Sequence, residues 1–446
     1  MKSTVHDPLR ETVVYDRCDV LVVGGGPAGV TAAVAAKNSG AERVVLMERC
    51  AYLGGMATGG QVLLIPFLSD PILNGGREQL VAGLMNEWVD RLRACPNGAF
   101  GPQKWEIGSK DPEVLAKYRS HGLFIRKERV MYGVNCDPEM LKAVLNDMTE
   151  AAGVVVYCNC LGCQAVVEDV KATGVIFESK EGRKAVMAQV IVDCTGDGDI
   201  FATAGAGYES ASLTTSRTAN TSLVFRLGGV SYERYTKGLR ETPSAREKLR
   251  EAVRIAGYDM QIISSNRDDV VWIDSLIPRD CMTITGLTDT AFITTRTINP
   301  LIRYLRENFP GLEGAYLYDF ASQVGTRGSR RLKGVERFTM DDIGKHTGRE
   351  DIIAVLPTVS GLQAYPRMEM PYGVLVPEKL DGLLVAGRCF SSSEEANQEA
   401  NWIPHCIALG QAAGTAAAMA VKEGIQPREV EPKSLRGILL EQGVYL

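Results

Sequence analysis

The chain has 446 residues, 45% apolar and 23% charged, with 49 Lys and Arg against 54 Asp and Glu and a formal net charge of −5. That is enough chain for two or three domains around a large core, and the mild acidity without long charge runs argues against a nucleic-acid footprint. Met1 to Tyr15 contains no apolar signal core and no twin-arginine pair, so the expected location is cytoplasmic.

The first element is Val20 to Val23, an unbroken apolar run that reads as a strand buried on both faces. Gly24-x-Gly26-x-x-Gly29 follows at once, with Pro27 and Ala28 inside it, and Val30 to Ala36 reads as a helix. In such a strand–turn–helix the first glycine permits the tight turn, the second lets backbone approach a pyrophosphate, and the third lets helix and strand pack closely. The phosphates then face free N–H groups at a helix N-terminus. A second strand, Arg43 to Met47, ends at Glu48, about twenty residues past the glycines, where a carboxylate can accept hydrogen bonds from ribose hydroxyls. Arg49 and the loop Leu53-Gly54-Gly55-Met56-Ala57-Thr58-Gly59-Gly60 come next. Their two Gly-Gly pairs imply backbone passing tightly against something flat or charged.

Residues 61–130 look like an insertion, with helical spacing from Arg77 to Leu92 and a loop from Cys95 to Lys110. Asp137 to Ala152 is an amphipathic helix with Asp137 as cap, Pro138 at its first position and Gly153 at its end. Strands are expected at Val154–Cys160, Cys163–Glu168, Gly174–Ser179 and Ala185–Val192, the last running into Asp193-Cys194-Thr195-Gly196-Asp197-Gly198-Asp199. Residues 208 to about 345 are more polar, with strands at Ser222–Leu227, Val270–Ile273 and Cys281–Thr285 and a helix at Thr297–Asn308. Asp381 to Ala386 restores the buried-strand pattern before Gly387-Arg388. Ile403 to Val421 is long enough for a membrane span, but His405, Gln411, Gly414 and its alanines favour a close-packed buried helix.

Eleven cysteines are scattered along the chain and read as reduced thiols. Cys158, Cys160 and Cys163 form the one cluster. They fall in a strand region without a regularly spaced fourth ligand, so no metal site is assigned. Arg327, Arg330 and Arg331 form the densest basic cluster, suited either to an anionic substrate group or to ion pairs with acids such as Glu336 or Asp341.

Together the stretches Val22–Gly29, Glu48–Gly60, Val192–Asp199, Arg327–Arg331 and Gly387–Gly414 resemble the FAD-dependent oxidoreductase family of the glutathione-reductase-like flavoprotein fold, and more distantly fumarate-reductase flavoproteins. The resemblance implies an α/β fold: a Rossmann-like FAD-binding domain (15–60, 131–207 and 350–425) with an inserted α+β substrate domain (208–349), the insertion 61–130 and a C-terminal tail 426–446. It implies that the Gly24–Gly29 loop and Glu48 hold the ADP half of FAD. Arg49 and the loop of Gly54, Gly55, Met56, Thr58 and Gly59 would pass the pyrophosphate and ribityl chain. Thr195, Gly196, Asp197, Gly387 and Arg388 would close over the middle, Leu161 would touch the cofactor, and the helix start at Pro404 and Cys406 would face the flavin. This family often has Ser-x-x-His-Glu-Ala after the Gly-Arg and an Arg before the last helix. Here Glu394 stands at the His position, Asn401 at the Arg position, and His405 where a small residue is usual.

The function these pieces imply is a flavin-dependent dehydrogenase or oxidase that removes hydride from a C–H bond of a small polar organic substrate, anionic if the arginine cluster serves it. His405 is the expected base for its ordinary pKa near neutrality. Glu394 follows, with Arg327 or Arg330 orienting the substrate and Asn401 and Tyr372 nearby. No second Gly-rich strand–turn–helix is present, so reoxidation falls to oxygen, a quinone or a redox protein. The alternatives are an NAD(P)H-dependent flavin hydroxylase and a flavoprotein electron-transfer subunit. No membrane span and no nucleic-acid partner are expected, and a homo-oligomer is compatible with the sequence.

Overall fold

The computed structural model describes residues 11–70, 73–211, 220–358 and 367–446. Parts of the regions 61–130, 208–349 and 350–425 therefore lie outside the described residues. The central sheet is built on the strand Val13–Val23, which begins earlier than its apolar run. Its outer half is solvent-facing, whereas Val20, Leu21 and Val22 are fully buried. Parallel partners flank it: Val44–Met47 and then Val155–Tyr157 on one side, Gly182–Asp193 on the other. Leu383–Val385 adds a further parallel strand against Ile191 to Asp193. Leu161–Glu168, Lys171–Ser179 and Gly182–Asp193 form an antiparallel meander leading into the sheet.

Two helices cover one face, Pro27–Asn38 and Ile403–Glu423. Their closeness is a sequence property. A Cβ at Gly410 would stand 2.2 Å from the Ala28 carbonyl oxygen, and one at Gly414 2.0 Å from that of Ala32. The Thr31 hydroxyl donates to the Ile407 carbonyl across the seam. The segment 403–421 is thus a core helix buried along nearly its whole length, and no described helix is long and apolar enough to cross a membrane.

A second, antiparallel sheet runs Tyr316–Phe320, Phe225–Gly228, Val270–Pro278, Asn220–Ser222, Gly325–Thr326, with Asp259–Ser264 also on Val270–Pro278. It has its own core of Phe225, Leu227, Ile273, Leu301 and Leu305. Here the sequence reading needs correcting. Cys281–Thr285 is not a strand, and the helix spans Ile284–Asn308 with Pro300 inside it. Threonine-rich sequence favours strands, yet Thr288, Thr290, Thr294, Thr295 and Thr297 each return their hydroxyl to the carbonyl four residues back, which fits them to a helix.

Two further boundaries move. The helix expected at Arg77–Leu92 is Leu84–Ala94, because Gly83 at φ 60° breaks the chain before it. The C-terminal tail 426–446 contains secondary structure of its own. Pro432–Glu441 is a helix capped by Glu431, with Leu435 and Leu439 in the main core. The helix Pro138–Ala151 has its expected cap, Asp137 accepting from the Glu139 and Met140 N–H groups.

Candidate cofactor and substrate site

The site forms where the parallel strands end. Gly24 has φ 98°, and a Cβ on it would strike the Cys194 carbonyl oxygen at 2.5 Å. A Cβ on Gly29 would lie 1.7 Å from the Gly24 carbonyl oxygen. Gly26 behaves differently: it has an ordinary φ of −71°, and a Cβ there would meet nothing within 4 Å. As the helix cap it leaves that position clear of protein atoms, the room a pyrophosphate needs to approach a helix N-terminus.

Glu48 is buried, and its carboxylate ties two loops together. The Gly25 N–H donates to Oε2 at 2.6 Å and the Cys50 N–H to Oε1 at 2.7 Å. Each oxygen keeps a second lone pair for a ribose hydroxyl. The Gly54 N–H donates to the Gly25 carbonyl at 2.7 Å, and a Cβ on Gly55 would stand 2.9 Å from the Gly26 Cα, so both glycine loops share one wall. The Thr58 hydroxyl donates to the Leu53 carbonyl, fixing the loop from within. A Cβ on Gly59 would enter the Tyr52 ring. Arg49 is exposed beside this loop. Leu161 is 47% exposed at the meander's start, just past Cys160, whose N–H donates to the Glu48 carbonyl.

The third loop is held by Asp193, fully buried, which the sequence reading placed at the end of a strand without giving it a role. It accepts from the N–H and hydroxyl of Thr195 and from the N–H groups of Ile200 and Phe201. Burial pushes its carboxyl up to about 6 against these donors. Asp197 accepts from the Arg388 guanidinium at 2.6 Å and the Ser329 hydroxyl at 2.6 Å. Burial would raise its pKa, but Arg388 and Ser329 hold it below the usual carboxylate range. A Cβ on Gly196 would run into Arg388, and Gly387 turns the chain with φ 95°. A Cβ on Gly325 would stand 3.3 Å from the Met56 sulfur, which joins the second sheet to the Gly54–Gly60 loop.

Two buried polar atoms near these loops suit a polar ligand: Arg388 Nε and Gln61 Oε1 have no hydrogen-bond partner among the described residues. Together with the open cradle at Gly26 they fit FAD, an extended ligand rich in polar atoms.

The expected catalytic residues divide. Arg330 serves the loop, its Nη1 donating to the Asp197 carbonyl and to Asp199. Arg331 is buried against the Ser392 carbonyl and Glu209. The acids are thus Asp199 and Glu209; Glu336 instead pairs with Arg349. The Tyr372 hydroxyl donates to the Pro427 carbonyl at 2.7 Å in the core, a packing role. Arg327 is the guanidinium of the cluster that meets the helix start. It lies 3.4 Å from Asp274 and 5.7 Å from the Trp402 ring centroid, and its carbonyl accepts from Asn401 Nδ2 at 3.0 Å. Glu394 is half-buried in the first turn of the short helix Glu394–Ala400. Pro404 and Cys406 are buried in the first turn after the cap residue Trp402, whose indole Nε1 donates to the Gln398 carbonyl at 3.2 Å rather than capping the helix.

His405 does not have the environment of a base titrating near neutrality. Its ring is fully buried, and burial pulls its pKa from 6.5 down to about 3, with the Pro357 and Ala400 backbone opposing. A histidine depressed in the folded state contributes stability that is complete above pH 6.5 and is lost as pH falls toward 3. Acid should therefore destabilise the protein from about pH 6.5 downward, by as much as about 1.4 kcal/mol per pH unit from this group. Asp193, raised on folding, acts with the opposite sign between its ordinary 3.8 and about 6. Denaturant unfolding at pH 7 and pH 5 checks this: His405→Gln should flatten the acid limb, and an unchanged limb would contradict the assignment.

Among the described residues no three His, Cys, Asp or Glu side chains gather as a metal site requires. Cys160 Sγ donates to the Cys158 carbonyl and Cys163 Sγ to that of Ile176, so the cysteine cluster does not converge.

A 61-residue stretch is 39% identical to thiamine thiazole synthase of Archaeoglobus fulgidus, covering 14% of this chain and 24% of that protein. A geranylgeranyl bacteriochlorophyll reductase-like protein from Thermoplasma acidophilum superposes over 96% of this chain and 84% of its own, at 15% identity and TM-score 0.48. The p-nitrophenol 4-monooxygenase of Pseudomonas putida DLL-E4 does so over 96% and 86%, at 12% identity and TM-score 0.48. The family description FAD dependent oxidoreductase matches residues 19–439, and with the cradle, carboxylate and closing loops in place the chain belongs to the FAD-dependent oxidoreductase family.

Proposed function

We propose that this FAD-dependent oxidoreductase is a dehydrogenase or oxidase acting on a C–H bond of a small polar, anionic substrate. The observation that carries this reading is the position of Arg327, on the Trp402 ring at the cap of the buried helix Ile403–Glu423 and beside the loops that suit the cofactor. FAD, when bound, supplies the two-electron acceptor for the substrate's hydride.

The chain supplies the rest. Arg327 orients the substrate through a guanidinium fork whose one contact with Asp274 is long at 3.4 Å. The N–H groups at the start of Ile403–Glu423 favour negative charge. His405, neutral and buried, can give or take a hydrogen bond at that helix start. Glu394 takes the substrate's proton, and an external acceptor (oxygen, a quinone or a redox protein) closes the cycle.

The test is anaerobic. A metabolite panel is screened for bleaching of the flavin, and the reducing compound is then rapidly mixed with Glu394→Gln. Unchanged FAD content with reduction slowed roughly 10²–10⁴-fold is the expected outcome, the range for losing a positioned acid–base group. Wild-type reduction would remove Glu394 from this role. Bleaching only by NAD(P)H, with oxygen uptake on adding an aromatic substrate, would replace the reading with hydroxylation.

A further inference from the structure

The helix Ile284–Asn308 is buried along one side, where Thr290, Thr294, Ile298, Leu301 and Leu305 are in contact with the second sheet's half of the molecule. At 3.6 residues per turn, Ile284, Thr288, Phe292, Thr295 and Asn299 form a stripe turned away from that side, and all five are exposed. Ile284 is 88% exposed and Phe292 62%, large values for large apolar side chains. The threonines make the stripe less polar than its composition. Thr288 donates its hydroxyl to the Ile284 carbonyl at 2.7 Å and Thr295 to the Ala291 carbonyl at 2.9 Å. Their polar atoms are spent inside the helix, and the methyl groups are left for the face.

Two charges flank this stripe. Asp289 and Arg296 are seven positions apart, close to two turns, so both project along the same edge with Phe292 between them. The Asp289 carboxylate reaches one cation, Arg279, at 3.6 Å, with both side chains well exposed. Arg296 makes no ion pair among the described residues. The order acid, aromatic, base is complementary to itself when reversed. A twofold axis between Phe292 and Ile293 lies midway between the two charges. Two copies of the helix laid antiparallel about it bring same-edge residues together, so Asp289 of each copy stands opposite Arg296 of the other.

We propose that this helix face is an interface whose occupant is a second copy of this chain, paired antiparallel through Phe292 and two reciprocal Asp289–Arg296 contacts. A twofold contact uses the same patch on both subunits and therefore needs a patch complementary to itself, which this one is. The Phe292 rings meet near the axis and leave water there, and the charges at the rim set the register and exclude a shifted pairing. Residues 284–299 span about 24 Å of helix. One such helix pair buries less than the roughly 800 Å² per partner of a standard interface, so the expected dimer is reversible, with a dissociation constant on the order of micromolar.

The test is sedimentation equilibrium of the FAD-loaded full chain across the micromolar range. Wild type is compared with Asp289→Arg, with Arg296→Asp and with the variant carrying both changes. Wild type should associate to a dimer. Each single reversal sets like charges against each other at both ends of the helix pair and should weaken association by at least about tenfold. The double reversal should restore it. Asp289→Arg and the double variant both lose the Arg279 contact, so rescue by the double reports on pairing between copies and not on that contact. Phe292→Asp should leave a monomer with unchanged FAD content, and the charge variants carry the test if it does not fold. A wild type that stays monomeric throughout, single reversals that associate as wild type does, or a double variant no better than the singles would each overturn the proposal.

Discussion

Replacing Gly26 by valine is expected to give a folded protein that purifies without yellow colour. The three glycines of the first loop differ in what they tolerate. At Gly29 a Cβ would overlap the Gly24 carbonyl oxygen, so substitution there breaks the packing of helix on strand. At Gly24 both the φ of 98° and the Cys194 backbone forbid a side chain. At Gly26 the protein offers no obstacle within 4 Å and the φ of −71° suits any residue. A valine there costs the apoprotein little but fills the space where the pyrophosphate approaches the helix N-terminus. Affinity for FAD should fall on the order of 10³-fold, about 4 kcal/mol, while the apoprotein's melting temperature stays unchanged. Titration of apoprotein with FAD, followed by flavin fluorescence, measures the first and a thermal melt the second. Full flavin occupancy would show that the cradle is not the pyrophosphate site.

Loss of Arg367 should cost the most in stability. Arg367 is 6% exposed at the start of the strand Arg367–Pro371. Its Nε donates to Asp70 at 2.9 Å, Nη2 to Glu78 at 2.6 Å and Nη1 to the Tyr445 hydroxyl at 2.8 Å. The Tyr445 hydroxyl in turn donates to Glu78. One guanidinium therefore joins the insertion, a strand beside the buried helix and the C-terminal end of the chain. Asp70 is fully buried, and Arg367→Ala would leave its carboxylate in the interior without this cation. Breaking a buried pair by removing one partner costs about 3–5 kcal/mol. Arg367→Met, similar in length but neutral, should be nearly as destabilised, because the lost cation and not the lost volume dominates. Denaturant unfolding of the two variants decides it: a loss below about 1 kcal/mol in both would mean that the network is dispensable.

What the sequence determined by itself was the α/β flavoprotein fold and the FAD it takes. The Gly24–Gly29 turn, the Glu48 carboxylate and the Thr195–Asp197 loop are local devices: a positive φ, a close approach or a cap leaves its mark in adjacent residues. The helices Pro27–Asn38, Pro138–Ala151 and Ile403–Glu423 were readable for the same reason, through their caps, periodicity and small-residue seams. Where local propensity and packing disagree, the sequence misled. The threonines of Ile284–Asn308 favour strand, and the helix exists because buried Thr290, Thr294, Ile298, Leu301 and Leu305 face the second core. Only the tertiary structure decided the fate of the polar residues. Arg327 and Arg330 are three positions apart, yet one meets the Trp402 ring and the other an Asp197 carbonyl. His405 looked like a base until its surroundings proved fully buried, and the Tyr372 hydroxyl is spent on Pro427. Phe67 and Trp402 are far apart in the chain and carry no motif, yet their rings meet edge-on. Long-range packing brings them together, and it also sets the dielectric around His405 and Asp193, so neither that meeting nor those pKa shifts could be read in advance.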